Sequence, residues 1–435
     1  MMNSIELPPQ LTTSTSVSAS ASNPYIQGIL FLGTGSAIPS PSRRNTSGLI
    51  IKLSSGSLML IDCGEGTQHQ IMQAHSIRMS RIDAILITHL HGDHCFGIFG
   101  LLCSIAANGR TEPLIIVGSA KLKHMVETVL AIQGGWDAFQ LQFIIITENE
   151  SHDCGYICGM HIHADALSHT IPAFAYTITE PSKPGSLHID AAQAQMLGVK
   201  GKRLALLKAG QDVLSDDGVT TIKSSDYLGP SIPGLKVSIV QDCSDCTRAY
   251  PSLQECDLLI HEATYDQSLA EKAKDHGHST AAMAARVAFH TRASMLILTH
   301  FSSRYGIGMK NRISLQQNTD PNANGSLSVQ SSAASASTAS LNHSEDVNDD
   351  CKNEQKNNSS DMDSDGVSSM TNDDLVNEAI EAYSTAAKEA SQSEASSPTT
   401  ASSSASCIPI FAAEDFLLFE RQKNSFVLKS YAKRT

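Results

Sequence analysis

The chain is a succession of short apolar runs, most of them ending in a turn that carries histidine or a carboxylate. Tyr25–Ser36 predicts a strand that runs into the glycine turn Gly33-Thr34-Gly35. Gly48–Leu53 and Ser57–Asp62 predict two strands joined as a hairpin by Ser-Ser-Gly, and Asp62–Thr67 then opens a helix through Gln73. Ala84–Ile87 has the length and branching of a buried strand and stops at Thr88; a helix follows over Ile98–Ala107. Further strands are predicted at Leu114–Val117, Phe143–Thr147, His161–Ala166, Phe174–Thr179, Leu235–Val240, Leu258–Ile260 and Met295–Leu298. Helices are predicted over Ser119–Ile132 and in the Ala-rich stretch after Gly277, capped by Ser279 or Thr280. Strands alternating with helices predict an α/β fold.

Three stretches break this pattern. Residues 1–24 are rich in Ser, Thr and Ala, without the basic start and apolar centre of a secretory signal, and predict a disordered leader. Residues 180–233, with Lys183, Lys200, Lys202, Arg203 and Lys208 among glycines, predict a partly basic arm inserted into the main domain (residues 25–310). Residues 311–406 are Ser-, Asn- and Asp-rich and predict a disordered acidic insertion, with a transient helix at Asp373–Lys388. Ile408–Phe419 and Ser425–Ser430 then predict a closing helix or strand pair (residues 407–435), so the insertion interrupts one domain and does not separate two.

The net charge of −13 sits poorly with a nucleic-acid binder until it is located. From Lys310 to Ser406 there are fifteen acidic and five basic residues, which leaves the rest of the chain near −3. Ten cysteines without regular spacing predict reduced thiols and an intracellular protein, cytoplasmic or nuclear. Cys243-Ser244-Asp245-Cys246 is a C-x-x-C without a second pair to complete a zinc knuckle. No run approaches the ~20 apolar residues of a membrane span.

The chemistry concentrates after Ile87. His89, His91, Asp93 and His94 fall within six positions, and Gly92 lets the backbone fold tightly between them. Imidazoles and a carboxylate at this density suit two borderline cations such as Zn²⁺. Later strand ends offer His169, Asp242 and His300, completing seven ligands, the number a dinuclear site wants. Asp62 could support the site from behind or cap the helix that follows it. His161 and His163 share a strand without a following Asp-His and are poor ligand candidates. Arg43, Arg44 and Asn45 form a loop able to grip phosphate.

The stretch His89–His94 resembles the metallo-β-lactamase superfamily signature. Phe31–Gly35, Asp62–Gln68, Thr88–Leu102, Ser168–Pro172, His-Glu-Ala-Thr at His261–Thr264, His-Ser-Thr at His278–Thr280 and Leu298–Tyr305 together resemble the ribonuclease Z family of tRNA 3′-processing endonucleases, in its short form. The resemblance implies a four-layer αββα sandwich holding two Zn²⁺ per chain. It assigns His89, His91 and His169 to one ion, Asp93, His94 and His300 to the other, and Asp242 to a bridge. It also implies a homodimer acting on precursor tRNA, in which one subunit's arm clamps the RNA cut by the other. Lys200, Lys202 and Arg203 on the arm, and Arg304, join Arg43, Arg44 and Asn45 as candidate RNA contacts. Gln241 and Cys243 stand where the family usually has Gly and Thr around the bridging aspartate, and Gly198–Arg203 lacks the arm's usual Gly-Pro turn.

The implied reaction is hydrolysis of the phosphodiester after the discriminator nucleotide, leaving a 3′-hydroxyl on the tRNA and a 5′-phosphate on the trailer. Asp93 would orient or deprotonate the attacking water, while Glu262 and His278 would protonate the departing oxygen. Two readings compete with it: a superfamily hydrolase of small esters or thioesters, and a catalytically impaired RNA-binding scaffold.

Overall fold

A computed structural model describes residues 25–39, 44–74, 77–189, 191–307, 370–394, 407–422 and 425–430. The leader, Arg43 and most of the acidic insertion lie outside the described residues.

The first half of the chain forms β1 (Ile26–Gly33), β2 (Gly48–Leu53), β3 (Leu58–Ile61), α1 (Thr67–Gln73), β4 (Ile82–Leu86), α2 (Gly92–Cys95), α3 (Ile98–Ala107), β5 (Leu114–Ser119), α4 (Ala120–Ile132) and β6 (Leu141–Ile146). A meander of β7 (His152–Ile157), β8 (Met160–Leu167) and β9 (Ala173–Thr179) follows. The arm then carries α5 (Ala191–Met196), α6 (Lys202–Lys208) and the small ladder β10 (Val213–Leu214) and β11 (Thr221–Ile222). Next come β12 (Lys236–Val240), α7 (Tyr250–Leu253), β13 (Leu258–Glu262), α8 (Ala270–Asp275), α9 (Ala281–His290) and β14 (Leu296–Thr299). The last described elements are α10 (Asn372–Glu394), β15 (Ile410–Ala412), β16 (Leu417–Gln422) and β17 (Ser425–Ser430).

Two sheets stack face to face. One has the order β17-β16-β1-β2-β3-β4-β5-β6, the other β15-β14-β13-β12-β9-β8-β7. Between them lies one core, with Ile29, Phe31, Met59 and Leu86 from the first sheet against Phe174, Tyr176, Ile239, Ile260 and Ile297 from the second. Each fully buried side chain of this size contributes roughly 1.5–3 kcal/mol. The outer face of the first sheet is covered by α1, α3 and α4 through Ile71, Leu101 and Leu122. Helices α9 and α10 cover the outer face of the second. The result is the αββα sandwich that the resemblance implied. Both β3-β4-β5-β6 and β12-β13-β14-β15 run parallel, so the carboxyl ends of β4, β12, β13 and β14 all open on one rim.

The acidic insertion is not uniformly structureless, and the expectation over 311–406 is corrected at residues 372–394. Leu375, Ala379 and Tyr383 are spaced four apart and form a buried apolar stripe. This stripe packs on the small residues Ala281, Ala284, Ala285 and Ala288 of α9. The surrounding Ser and Asp dominate the average composition and mask a docking helix. The closing segment forms strands, with β15 beside β14 and β16 beside β1. The arm has its own small core of Val199, Leu207, Val213 and Ile222. Among the described residues no helix is long and apolar enough to cross a membrane.

Candidate metal centre and active site

The loop after β4 delivers His89 and His91, and α2 delivers Asp93 and His94. His169 comes from the β8–β9 turn, Asp242 from the end of β12 and His300 from the end of β14. These seven converge as two groups. His89 Nε2 and His169 Nε2 each lie 3.1 Å from His91 Nδ1. On the other side His94 Nε2 and His300 Nε2 are 3.1 Å apart, with Asp93 Oδ2 at 3.6 and 3.4 Å from them. Asp242 Oδ2 stands between the groups, 3.8 Å from His89, 3.3 Å from His94 and 3.2 Å from His300.

The imidazoles are held from behind by their second nitrogens. Asp62 Oδ2 meets His94 Nδ1 at 2.7 Å, the Gly277 carbonyl meets His169 Nδ1 at 2.7 Å, and Thr264 Oγ1 meets His300 Nδ1 at 2.9 Å. Such contacts fix the ring tautomer and turn the other nitrogen toward a cation. Asp62 supports the site rather than capping α1, because its carboxylate also takes the Thr88 N–H and hydroxyl. Asp62 and His300, each just after a strand end at the site, both have φ 58°, a left-handed conformation costly for L side chains. Gly277 allows the close approach to His169, since a Cβ there would sit 2.7 Å from His169 Nδ1. At Gly64 a Cβ would meet the Asp93 carbonyl at 2.0 Å, so glycine lets α2 pack against the Asp62 turn.

The donor set fits divalent cations. Burial, with nearby histidines, holds His89 well below the usual imidazole range, and burial lowers His91 and His169 as well, leaving neutral rings with lone pairs to donate. Burial would raise Asp242, yet His300 and His94 hold its carboxyl well below the usual range, and Asp93 is held low in the same manner. Asp242 Oδ1 is buried without a hydrogen-bond partner among the described residues, an acceptor that a cation would satisfy.

A cavity of about 380 Å³ opens over Asp93, Asp242, His91 and His278, edged by Phe96. His278 Nδ1 lies 3.3 Å from Glu262 Oε2 and 3.7 Å from Asp242 Oδ2. Burial works against the His278 charge, but the Glu262 carboxylate outweighs it and lifts the pKa to about 9. Glu262 also accepts the Cys243 N–H at 2.6 Å and the Thr264 hydroxyl. Gln241 takes the Ser47 hydroxyl at 2.8 Å, so both residues flanking Asp242 are built into the surrounding network.

The candidate RNA contacts divide. Arg44 is buried, over the Phe301 ring at 4.7 Å and near Asp415, and desolvation lowers its pKa. Its expected grip on phosphate is therefore corrected: the guanidinium faces the interior. Asn45 binds the Glu65 carbonyl through its amide, Arg203 pairs with Asp216, and Arg304 covers the Tyr265 ring at 5.3 Å. Lys200 and Lys202 are exposed on the arm. His161 and His163 pair with Asp153 and Asp165, away from the ligand groups. Sequence reasoning missed Asp415, which accepts Thr34 N at 3.0 Å, Asn45 N at 2.6 Å and Gln70 Nε2 at 3.1 Å and so pins the loop beside Asp93. A lone aspartate more than three hundred residues downstream carries no local signal.

Comparison with known proteins places this arrangement. The ribonuclease BN of Citrobacter koseri is 39% identical over 281 residues, spanning 64% of this chain and 90% of its own length. The chain belongs to the ribonuclease BN family, a ribonuclease Z-like group with the metallo-β-lactamase fold. The ribonuclease BN of Erwinia tasmaniensis is 42% identical over 277 residues, 63% of this chain and 89% of that protein. Residues 27–166 match the family model of the anti-Pycsar protein Apyc1. The crystal structure of human tRNase Z, short form, has 31% identity and a TM-score of 0.47 over 64% of this chain and 93% of its own. In this ribonuclease BN family chain, the His and Asp groups that could hold a divalent metal come from the strand ends of both sheets.

Proposed function

We propose that the protein is a zinc-dependent endoribonuclease that removes 3′ trailers from precursor tRNA, leaving a 3′-hydroxyl on the tRNA and a 5′-phosphate on the trailer. One observation carries this reading. Two ligand groups meet across Asp242, and a charged His278 held by Glu262 stands 3.7 Å from that carboxylate on the rim of the same cavity. The relatives' names, ribonuclease BN, support RNA as the substrate.

His89, His91 and His169 would hold one Zn²⁺, Asp93, His94 and His300 the second, with Asp242 between them. When bound, such cations lower the pKa of a water toward neutrality and offset charge on a phosphate. The chain's own residues do the rest. Asp93, fixed by the Ala37 N–H at 2.7 Å, faces the cavity and orients the attacking water. With Nδ1 held by Glu262, the charged His278 ring has its Nε2 proton for the departing 3′-oxygen, and the Glu262 carboxylate stabilises the charge. Lys200 and Lys202 on the arm supply phosphate contacts, in a homodimer whose arms reach across to the partner. The described cysteines are free thiols, which supports an intracellular location, cytoplasmic or nuclear.

Purified protein incubated with a trailer-bearing precursor tRNA should yield a mature 3′ end and a 5′-phosphorylated trailer. Wild-type cleavage by Asp93→Ala, or turnover of a small thioester with the RNA left intact, would overturn this reading.

A further inference from the structure

The C-x-x-C after β12 acquires a third member in three dimensions. His261 Nε2 lies 4.0 Å from Cys243 Sγ and 3.9 Å from Cys246 Sγ. The three donor atoms all fall within 4.8 Å of one another. The side chains are buried, with residue exposures of 1% for Cys243, 3% for Cys246 and 0% for His261. None of the three side chains is among the groups assigned a part in the site described above.

The ring orientation is informative. His261 Nδ1 lies 2.8 Å from the Glu262 carbonyl, which can only accept a hydrogen bond, so Nδ1 carries the proton. The Nε2 lone pair is thereby directed between the two sulfurs. This is the arrangement in which a ligating imidazole is usually held, with its second nitrogen anchored on a carbonyl. Tetrahedral zinc with thiolates at ~2.3 Å and imidazole at ~2.0 Å separates sulfur from nitrogen by roughly 3.6 Å. The observed separations need to contract by only a few tenths of an ångström.

We propose that Cys243, Cys246 and His261 form a further, structural site for a thiophilic d¹⁰ cation, with Zn²⁺ as the ion. Two thiolates and one imidazole match the ligand preference of such ions, unlike the His/Asp donors around Asp242. The site's position gives it a purpose. Cys243 follows Asp242 directly, and His261 precedes Glu262 directly on the adjacent strand, where Val240 pairs with His261. An ion here would clamp the carboxyl ends of β12 and β13 together, fixing the backbone that presents Asp242 and Glu262. Ser279, in the turn before α9, adds a third contact, its Oγ lying 3.8 Å from Cys243 Sγ and donating to the Cys243 carbonyl at 2.6 Å.

The test uses the full chain, purified under reducing conditions, stripped of metal and reloaded with Co²⁺ alone. The His/Asp sites contain no sulfur, so thiolate-to-cobalt charge-transfer absorption in the near ultraviolet reports this site separately from nuclease activity. We expect that absorption in the wild type and its loss in Cys246→Ser, together with one metal equivalent per chain by elemental analysis. Should the variant fold poorly, the wild type decides alone: the charge-transfer band should appear on adding Co²⁺ and vanish when Zn²⁺ displaces it or a chelator removes it. Absence of charge-transfer absorption, retention of the full metal content in folded Cys246→Ser, or a Cys243–Cys246 disulfide in the reduced preparation would each overturn the proposal.

Discussion

His94 Nδ1 and Asp62 Oδ2 lie 2.7 Å apart, and neither side chain meets solvent. Asp62 thereby fixes the face that His94 turns toward His300 and Asp242. Replacing it with Asn keeps the shape and removes the charge. We expect Asp62→Asn to lower divalent-metal affinity by roughly 10–100-fold, as loss of a ligand's supporting carboxylate does elsewhere. Competition with a chromogenic chelator measures it, and unchanged affinity would show that the Thr88 contacts, rather than the charge, are what matter.

The pH dependence should have an alkaline limb set by His278. With Glu262 holding its pKa at about 9, the ring is protonated below that value and loses its proton as pH rises through it. A general acid acts in the protonated form, so kcat should fall above that pH. His278→Ala should reduce kcat by roughly 10²–10⁴ and abolish the limb. A pH–rate profile of both proteins, with a substrate whose leaving oxygen needs no proton as control, separates this from a loss of folding.

Gly277 provides a second route to the same centre. Its φ of 76° and the 2.7 Å approach of a Cβ to His169 Nδ1 predict that Gly277→Ala displaces His169. Metal content should fall in the group containing His89, His91 and His169 while the protein stays folded by circular dichroism.

The helix α10 should be integral to the domain. Leu375 is fully buried against α9, so Leu375→Ala should destabilise by roughly 2–5 kcal/mol. Glu378 adds to the joint by accepting the Ala282 N–H at the start of α9 at 3.2 Å and the Gln267 N–H at 2.9 Å. Thermal denaturation checks both, and a melting temperature unchanged in Leu375→Ala would show the helix to be dispensable.

Arg44 offers a contrasting case. Because its guanidinium packs on Phe301 inside the fold, Arg44→Met should alter thermal stability while leaving KM for RNA within about twofold. A large rise in KM at unchanged stability would restore the phosphate-gripping role.

Most of the sandwich was legible because its strands are short branched apolar runs, and the seven residues that the structure brings together could be named as candidate ligands because they follow such runs. Other features were hidden in whole or in part. The strand β7 carries His, Asp, Cys and Gly, and only its last residue is fully buried, so no apolar alternation announced it. The helix α10 was legible only as a transient helix over Asp373–Lys388, because it buries one narrow stripe within a segment of hydrophilic average composition. Arg44 looked like a solvated loop cation because sequence does not reveal that Phe301 and Asp415, hundreds of residues away, enclose it. The C-x-x-C was recognisable as a motif, but its third member at His261 appears only when β12 and β13 pair.

The closing strands have a bearing on biosynthesis. Strand β15 extends the second sheet, β16 enters the first beside β1, and Asp415 between them ties down Thr34, Asn45 and Gln70. A ribosome delivers the N-terminal elements first, so β1, paired early with β2, must wait through synthesis of the entire acidic insertion before its second neighbour, β16, exists. A nascent chain would thus carry its candidate ligand histidines long before the loop beside Asp93 is secured. Any product ending ahead of Ile410 would lack strands from both sheets and the aspartate that ties Thr34, Asn45 and Gln70 together.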